Sequence, residues 1–324
     1  MTKPYVYVTR KLPEDTLKEL SKAADVECWP YEDRAVDRET LLKKAEKADG
    51  LLTMLSEQID KELLDRAPNL KICANMAVGY DNVDLQEADK RGVVISNTPD
   101  VLTEATADLA FALLMASARR LTEASEYIKR DEWREWAPFL LAGTEVHGKT
   151  LGIIGMGRIG AAVAGRAKGF NMRVLYHNRS RREHVEKETG ASYAEKAELL
   201  ETADFVCVTA PLTPETKGMI GSEEFKKMKD SAHLINISRG PVIQEEALIK
   251  ALQTKQIAGA GLDVFDREPI RSDHPLLQFK EVTALPHIGS ATVQTRRDMM
   301  QLAAANIHGV LTGRGAETPV GSHR

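Results

Sequence analysis

Three polar side chains, Arg239, Glu268 and His287, each follow a short apolar run late in the chain. Arg239 follows His233–Ile237 in Ile-Ser-Arg-Gly, and Glu268 follows Gly259–Val264 in Asp-Val-Phe-Asp-Arg-Glu-Pro. His287 follows Val282–Leu285 in Leu-Pro-His-Ile-Gly. If these runs are parallel strands, the three groups share the carboxyl edge of one sheet, where open α/β sheets bind ligands. Singly, each has an ordinary explanation: a surface charge, a loop solvator, and an exposed or structural histidine. Together they suit hydride chemistry at a 2-keto acid. Arginine is a fixed, always-charged bidentate donor for a substrate carboxylate and a developing alkoxide. Histidine can donate the proton that the carbonyl oxygen takes, and a neighbouring glutamate stabilises the imidazolium and orients the ring.

Leu151-Gly-Ile-Ile-Gly-Met-Gly-Arg-Ile-Gly160 reads as an apolar strand entering a Gly-x-Gly-x-x-Gly turn and an alanine-rich helix. Gly155 permits the tight turn, Gly157 lets the backbone approach a pyrophosphate, and Gly160 lets the helix pack on the sheet. The N–H groups that open the helix would receive the phosphates. The next strand, Arg173–His177, runs into Asn178-Arg-Ser-Arg-Arg182, where a dinucleotide-binding unit usually places an acid. No Asp or Glu stands between Gly160 and Glu183. Asn178 removes the repulsion a carboxylate would exert on a 2′-phosphate, and Arg179 and Ser180 can bind that phosphate by charge-assisted hydrogen bonds. The expected cofactor is therefore NADP, with NADPH preferred over NADH. The plainer alternative for Arg179–Arg182 is a solvated loop.

These groups need strands to carry them. Strands are expected at Tyr5–Thr9, Val26–Trp29, Gly50–Met54, Lys71–Ala74 and Val93–Ser96, separated by helices that include Glu14–Ala23, Arg38–Lys47 and Leu85–Arg91. Asn97-Thr-Pro99 stops this series, and a long helix follows, from about Leu102 to Arg120. Six more strands, Thr150–Ile154, Arg173–His177, Phe205–Thr209, His233–Ile237, Gly259–Val264 and Val282–Leu285, match the two mononucleotide halves of a dinucleotide-binding sheet. The fold class is α/β, with two doubly wound parallel-sheet domains. A last helix, about Ala291–Leu311, returning to the first domain would make that domain discontinuous, and Gly313–Arg324 reads as a mobile tail.

Composition narrows the remaining classes. A length of 324 residues favours two domains, and a net charge of −4 gives no general reason to expect nucleic acid or an anionic membrane as a partner. Cys28, Cys73 and Cys207 are isolated, which suggests buried free thiols in a reducing compartment. With no signal-type leader and no apolar run long enough to span a bilayer, the expected location is the cytoplasm. The eight histidines are scattered without ligand spacing, so no metal is expected.

The motifs Ala77–Asp84, Leu151–Gly160, Ala210–Thr216, Asn236–Gly240, Gly261–Pro269 and Pro286–Gly289 occur in the order found in the D-2-hydroxyacid dehydrogenase family, which the chain resembles over nearly its whole length. Within that family it is most similar to the glyoxylate/hydroxypyruvate reductases and the related 2-ketogluconate reductases. The resemblance implies a Rossmann cofactor domain, residues 100–289, inserted into a flavodoxin-like substrate domain made of 1–99 and 290–324. It implies Arg239 as carboxylate and carbonyl binder, His287 as general acid/base and Glu268 as its partner. Cofactor contacts would come from Thr106, Gly155, Gly157, Arg158, Ile159, Gly160, Asn178, Arg179, Ser180, Pro211, Thr216, Ile237, Ser238, Asp263 and Gly289. Substrate contacts would come from Leu55, Ser56, Val78 and Gly79 besides Arg239.

The resemblance also implies a homodimer. Trp133, Trp136 and Phe139 would then pack an interface, or Trp136 would reach the neighbouring subunit's site. The expected activity is NADPH-dependent reduction of glyoxylate to glycolate and of hydroxypyruvate to D-glycerate. Two alternatives stay open: 2-ketogluconate reduction, which differs in pocket size, and a non-catalytic NAD(P)-sensing scaffold on the same fold.

Overall fold

Apolar strands alternating with amphipathic helices form two separate sheets in the computed structural model, which describes residues 3–321. The chain divides into one compact unit running to Leu102 and resuming at Thr292, and a second spanning Thr103–Ala291.

The first unit carries β1 (Tyr5–Val8), β2 (Asp25–Cys28), β3 (Gly50–Thr53), β4 (Ile72–Asn75) and β5 (Val94–Ser96). They pair in parallel in the order β2-β1-β3-β4-β5, the 2-1-3-4-5 winding of flavodoxin-like sheets. Every residue of β3 and β4 is buried, as helices on both faces of a parallel sheet require. Three of the covering helices begin at aspartates: Asp37, Asp60 and Asp84 accept from the backbone N–H of Thr40, Leu63 and Glu87. Each such cap contributes about 1 kcal/mol and sets where the chain turns back into the sheet.

The second unit carries β6 (Thr150–Ile154), β7 (Arg173–His177), β8 (Ser192–Tyr193), β9 (Phe205–Val208), β10 (His233–Asn236), β11 (Gly259–Leu262) and β12 (Val282–Ala284). Their order, β8-β7-β6-β9-β10-β11-β12, is 3-2-1-4-5-6-7 when counted within the unit. The order reverses between β6 and β9, the switch point where doubly wound sheets hold nucleotides. Residues Phe111, Leu114, Val163, Ala164 and Tyr176 pack one face, and Leu199, Phe225, Leu248 and Leu252 pack the other. Strand β8 is a seventh member that six apolar runs do not announce. Its two residues are too few to show a period.

The carboxyl-terminal segment corrects the expectation of a mobile tail from Gly313. Pro319–Val320 forms β13, antiparallel to β5. Thr318 is hydrogen-bonded to both Asn306 and Asn97, and Val320 is buried. Glycines and polar residues dominate this stretch, so it carries no apolar period; its order comes from pairing with an existing sheet edge. Residues 322–324 of that expectation lie outside the described residues. Of the cysteines, Cys73 and Cys207 are buried free thiols, whereas Cys28 is only partly buried and donates to the Arg10 carbonyl. Among the described residues, no helix is long and apolar enough to cross a membrane.

Candidate active site

The glycine turn lies at the switch point of the second sheet. Gly155 has φ +103°, and a Cβ there would stand 2.5 Å from the Ala210 nitrogen. A Cβ on Gly160 would meet the Gly155 carbonyl oxygen at 2.3 Å. The Thr209 hydroxyl donates to that same carbonyl, bracing the turn from β9. Gly157 begins the helix Arg158–Ala167 with no side-chain cap, and nothing stands within 4 Å of where its Cβ would be. The space over Gly157 is thus open at the positive end of a helix dipole that has no side-chain cap, which fits the phosphates of a dinucleotide. Ile159 packs against the core beneath, and the Thr216 hydroxyl closes the following turn by donating to the Pro211 carbonyl at 2.6 Å.

After β7 the basic residues have different partners. Arg181 grips Glu186 through two 2.8 Å hydrogen bonds, and the Tyr176 hydroxyl donates to Glu186 at 2.7 Å. These contacts, Arg181 first, hold the Glu186 carboxyl down at about 2. Arg179 and Ser180 are exposed, and Asn178 donates to the Ser180 carbonyl at 3.0 Å. The Glu215 carboxyl lies below its usual range, chiefly through the Thr213 hydroxyl and in part through the charge of Arg179. Glu186 therefore divides the run, engaging Arg181 while the charge of Arg179 acts on Glu215 in the segment after β9.

Arg239 is aimed by a side chain that the sequence reading did not assign. Asn236, at the end of β10, accepts from the Ser238 N–H at 3.0 Å and the Ser238 hydroxyl at 2.9 Å, and donates to the Arg239 carbonyl at 3.0 Å. The Ile237 N–H bonds back to Val208 on β9, and the Arg239 guanidinium donates to the Ser238 carbonyl. Gly240 then passes so close to the loop after β11 that a Cβ would lie 1.9 Å from the Phe265 carbonyl carbon and oxygen. That contact locks the arginine-bearing turn against the loop that carries Glu268.

Glu268 accepts from the Phe265 N–H at 3.0 Å with one carboxylate oxygen and lies 2.7 Å from His287 Nδ1 with the other. Burial works to raise the Glu268 pKa, but the bond and charge of His287, the Phe265 N–H and the charge of Arg239 outweigh it and hold the carboxyl below its usual range. His287 adopts φ +54°, a left-handed conformation that non-glycine residues rarely take. Its N–H is tied to the Asp263 carbonyl at 2.9 Å. The Asp263 carboxylate accepts from Ile288 and Gly289 N–H, each at 2.8 Å, and burial pushes its pKa up. Asp263, expected as a cofactor contact, is seen shaping the loop that presents His287. Gly289 fits between Asp263 and Thr106, with a Cβ falling 3.3 Å and 3.4 Å from their side chains.

In the first unit, Leu55 and Ser56 follow β3, and Val78 and Gly79 follow β4. The buried Glu57 knots the Leu55–Ser56 turn by accepting from the Thr9 hydroxyl, the Met54 N–H, the Ser56 hydroxyl and Arg10. Trp136 stands 78% exposed, alongside exposed Trp133 and Phe139. Among the described residues, no cluster of His, Cys, Asp or Glu is placed to hold a metal ion.

A glycine turn at the switch point and an arginine, glutamate and histidine on loops at the same edge are the equipment of a nicotinamide-dependent oxidoreductase. Residues 111–289 match the family described as D-isomer specific 2-hydroxyacid dehydrogenase, NAD binding domain, and the chain belongs to that family. It is 52% identical to a glyoxylate reductase of Thermococcus gammatolerans over 94% of this chain and 92% of that one. It is 50% identical to a glyoxylate reductase of Pyrococcus horikoshii over the same shares. Among solved structures, an NADPH-dependent glyoxylate/hydroxypyruvate reductase of Sinorhizobium meliloti, in complex with NADP and malonate, superposes with a TM-score of 0.87. That match has 34% identity and covers 99% of this chain and 98% of the other. The protein is an NAD(P)-dependent 2-hydroxyacid dehydrogenase.

Proposed function

We propose that the chain reduces small 2-keto acids with NADPH, taking glyoxylate to glycolate and hydroxypyruvate to D-glycerate. The observation that carries this reading is the His287–Glu268 pair at 2.7 Å, on the same loop edge as Arg239. Arg239 holds the substrate carboxylate and polarises the carbonyl; the backbone N–H groups of Val78 and Gly79 are carboxylate binders, and Leu55 and Ser56 belong to the substrate loop. With Nδ1 engaged by Glu268, His287 presents Nε2 and delivers its proton to the carbonyl oxygen as the C–H bond forms. Glu268 stabilises the imidazolium before transfer and keeps the ring in place. A bound nicotinamide would supply the hydride. Gly157 and the first turn of helix Arg158–Ala167 would hold the pyrophosphate of the dinucleotide, Arg179 and Ser180 would hold a 2′-phosphate, and Thr106, Asp263 and Gly289 would flank the nicotinamide.

The names of the relatives support glyoxylate and hydroxypyruvate as substrates. The absence of an acid at Asn178 and the exposure of Arg179 support NADPH. Exposed Leu121, Ile128, Trp133, Trp136 and Phe139 support a homodimer packed through this segment, and two buried, unpaired thiols suit the cytoplasm. The test is kcat/KM for glyoxylate, hydroxypyruvate and 2-ketogluconate, each with NADPH and NADH. Better use of NADH would sink the cofactor assignment, and preference for 2-ketogluconate would sink the substrate assignment.

A further inference from the structure

We propose that Asn97, braced by Thr318, is a positioning residue that aims the Val78 and Gly79 N–H groups at the substrate carboxylate; this rests on the keto-acid reading above. The backbone carbonyls after β4 are tied back to a single segment. The Ala77 carbonyl accepts from Thr98 N–H at 2.9 Å, and the Val78 carbonyl accepts from Asn97 Nδ2 at 2.9 Å. These peptides are trans, since the cis bond among the described residues is Glu268–Pro269. In a trans peptide the C=O of one residue and the N–H of the next point to opposite sides. Tying both carbonyls back to Asn97 and Thr98 therefore turns the Val78 and Gly79 N–H groups away from that segment. Neither N–H donates to a protein acceptor among the described residues, and both residues are partly exposed. Successive outward N–H groups form the kind of backbone concavity that binds anions.

Asn97 is buried and held from behind. Its N–H donates to the Thr318 carbonyl at 3.2 Å, and its carbonyl accepts from the Thr318 hydroxyl at 2.6 Å. Thr318 is fixed in turn by Asn306, whose amide accepts from the Thr318 N–H and donates to its hydroxyl, both at 2.9 Å. Asn306 is fully buried on helix Val293–Leu311. The segment that resembles a loose tail is thus the outer half of a clamp on the carboxylate-binding turn.

The test compares wild type, Asn97→Ala, Thr318→Val and the double variant for glyoxylate reduction at saturating NADPH. Inhibition by oxalate, a small dicarboxylate, is measured in parallel. Asn97→Ala is expected to raise the glyoxylate KM and the oxalate inhibition constant about tenfold or more, with kcat within about threefold and the NADPH KM unchanged. Thr318→Val, which keeps the shape but loses the hydroxyl donor, is expected to move the same constants by less. The double variant should be no worse than Asn97→Ala, because both act through one turn. If Asn97→Ala does not fold, Thr318→Val decides alone. An unchanged glyoxylate KM in folded variants, or losses spread equally over kcat and both KM values, overturns the positioning role. Wild-type protein inactive on both keto acids overturns the keto-acid reading and this assignment with it. Wild-type turnover with unchanged variant KM overturns the assignment alone.

Discussion

His287 Nδ1 lies 2.7 Å from a carboxylate oxygen of Glu268, whose other oxygen accepts the Phe265 N–H. The glutamate is therefore held at both oxygens, and the imidazole can rotate only by breaking a charge-assisted bond. His287→Ala is expected to lower kcat by a factor of about 10² to 10⁴, the usual worth of a general acid. Glu268→Gln keeps the shape but loses the charge, and its kcat should fall about tenfold or more. Steady-state turnover of glyoxylate checks both. Near-normal turnover of His287→Ala would remove the histidine from the chemistry.

Gly240 is the contact between the turn that carries Arg239 and the loop that carries Glu268. Gly240→Ala forces a methyl to 1.9 Å from the Phe265 carbonyl group, and backbone must move to admit it. The expected cost is about 3 kcal/mol or more, at the upper end of overpacking effects, with loss of turnover. Thermal unfolding and activity should fall together. A folded, active Gly240→Ala with unchanged Tm would show that the two loops are not rigidly coupled.

Cofactor choice should follow the residues after β7. Asn178→Asp places a carboxylate where the 2′-phosphate is proposed to sit, and Arg179→Ala removes the cation proposed to bind it. Each is expected to raise the NADPH KM about tenfold or more while changing the NADH KM little. Arg181→Ala should leave the cofactor ratio nearly unchanged, because Arg181 is already engaged by Glu186. Equal effects of the Arg179 and Arg181 substitutions would contradict the division of this run.

His233 gives the second unit a pH-sensitive core. It is 5% exposed, stacks on Phe205, and lies within hydrogen-bond reach of Ser117 at 2.9 Å and Thr144 at 3.1 Å. Burial pushes its pKa down to about 4, below the 6.5 of an unburied histidine. Between those values the unfolded chain binds more protons than the native one, so stability is full above pH 6.5 and falls as pH drops towards 4. The expected total loss is about 3 kcal/mol. Urea midpoints at pH 7 and pH 5 should differ in wild type, and His233→Gln should flatten that difference. An unchanged slope in the variant would place the acid sensitivity elsewhere.

Much of this was readable in the order of residues, for physical reasons. Period and length placed eleven strands to within two residues at either end, because buried parallel strands must be apolar and their loops must not be. Glycine spacing identified the turn at Gly155, since only that residue type accepts φ +103° so close to Ala210. Residue chemistry singled out Arg239, Glu268 and His287. Tertiary structure decided the rest, because the deciding contacts join segments that no local pattern relates. It divided the basic run, giving Arg181 to Glu186, and made Asn236 the brace of Arg239. It turned Asp263 onto the His287 loop and paired the polar segment at Pro319–Val320 with β5. A hydrogen bond from Thr318 to Asn97 spans 221 positions and carries no sequence period; only the folded sheet brings its donor and acceptor together.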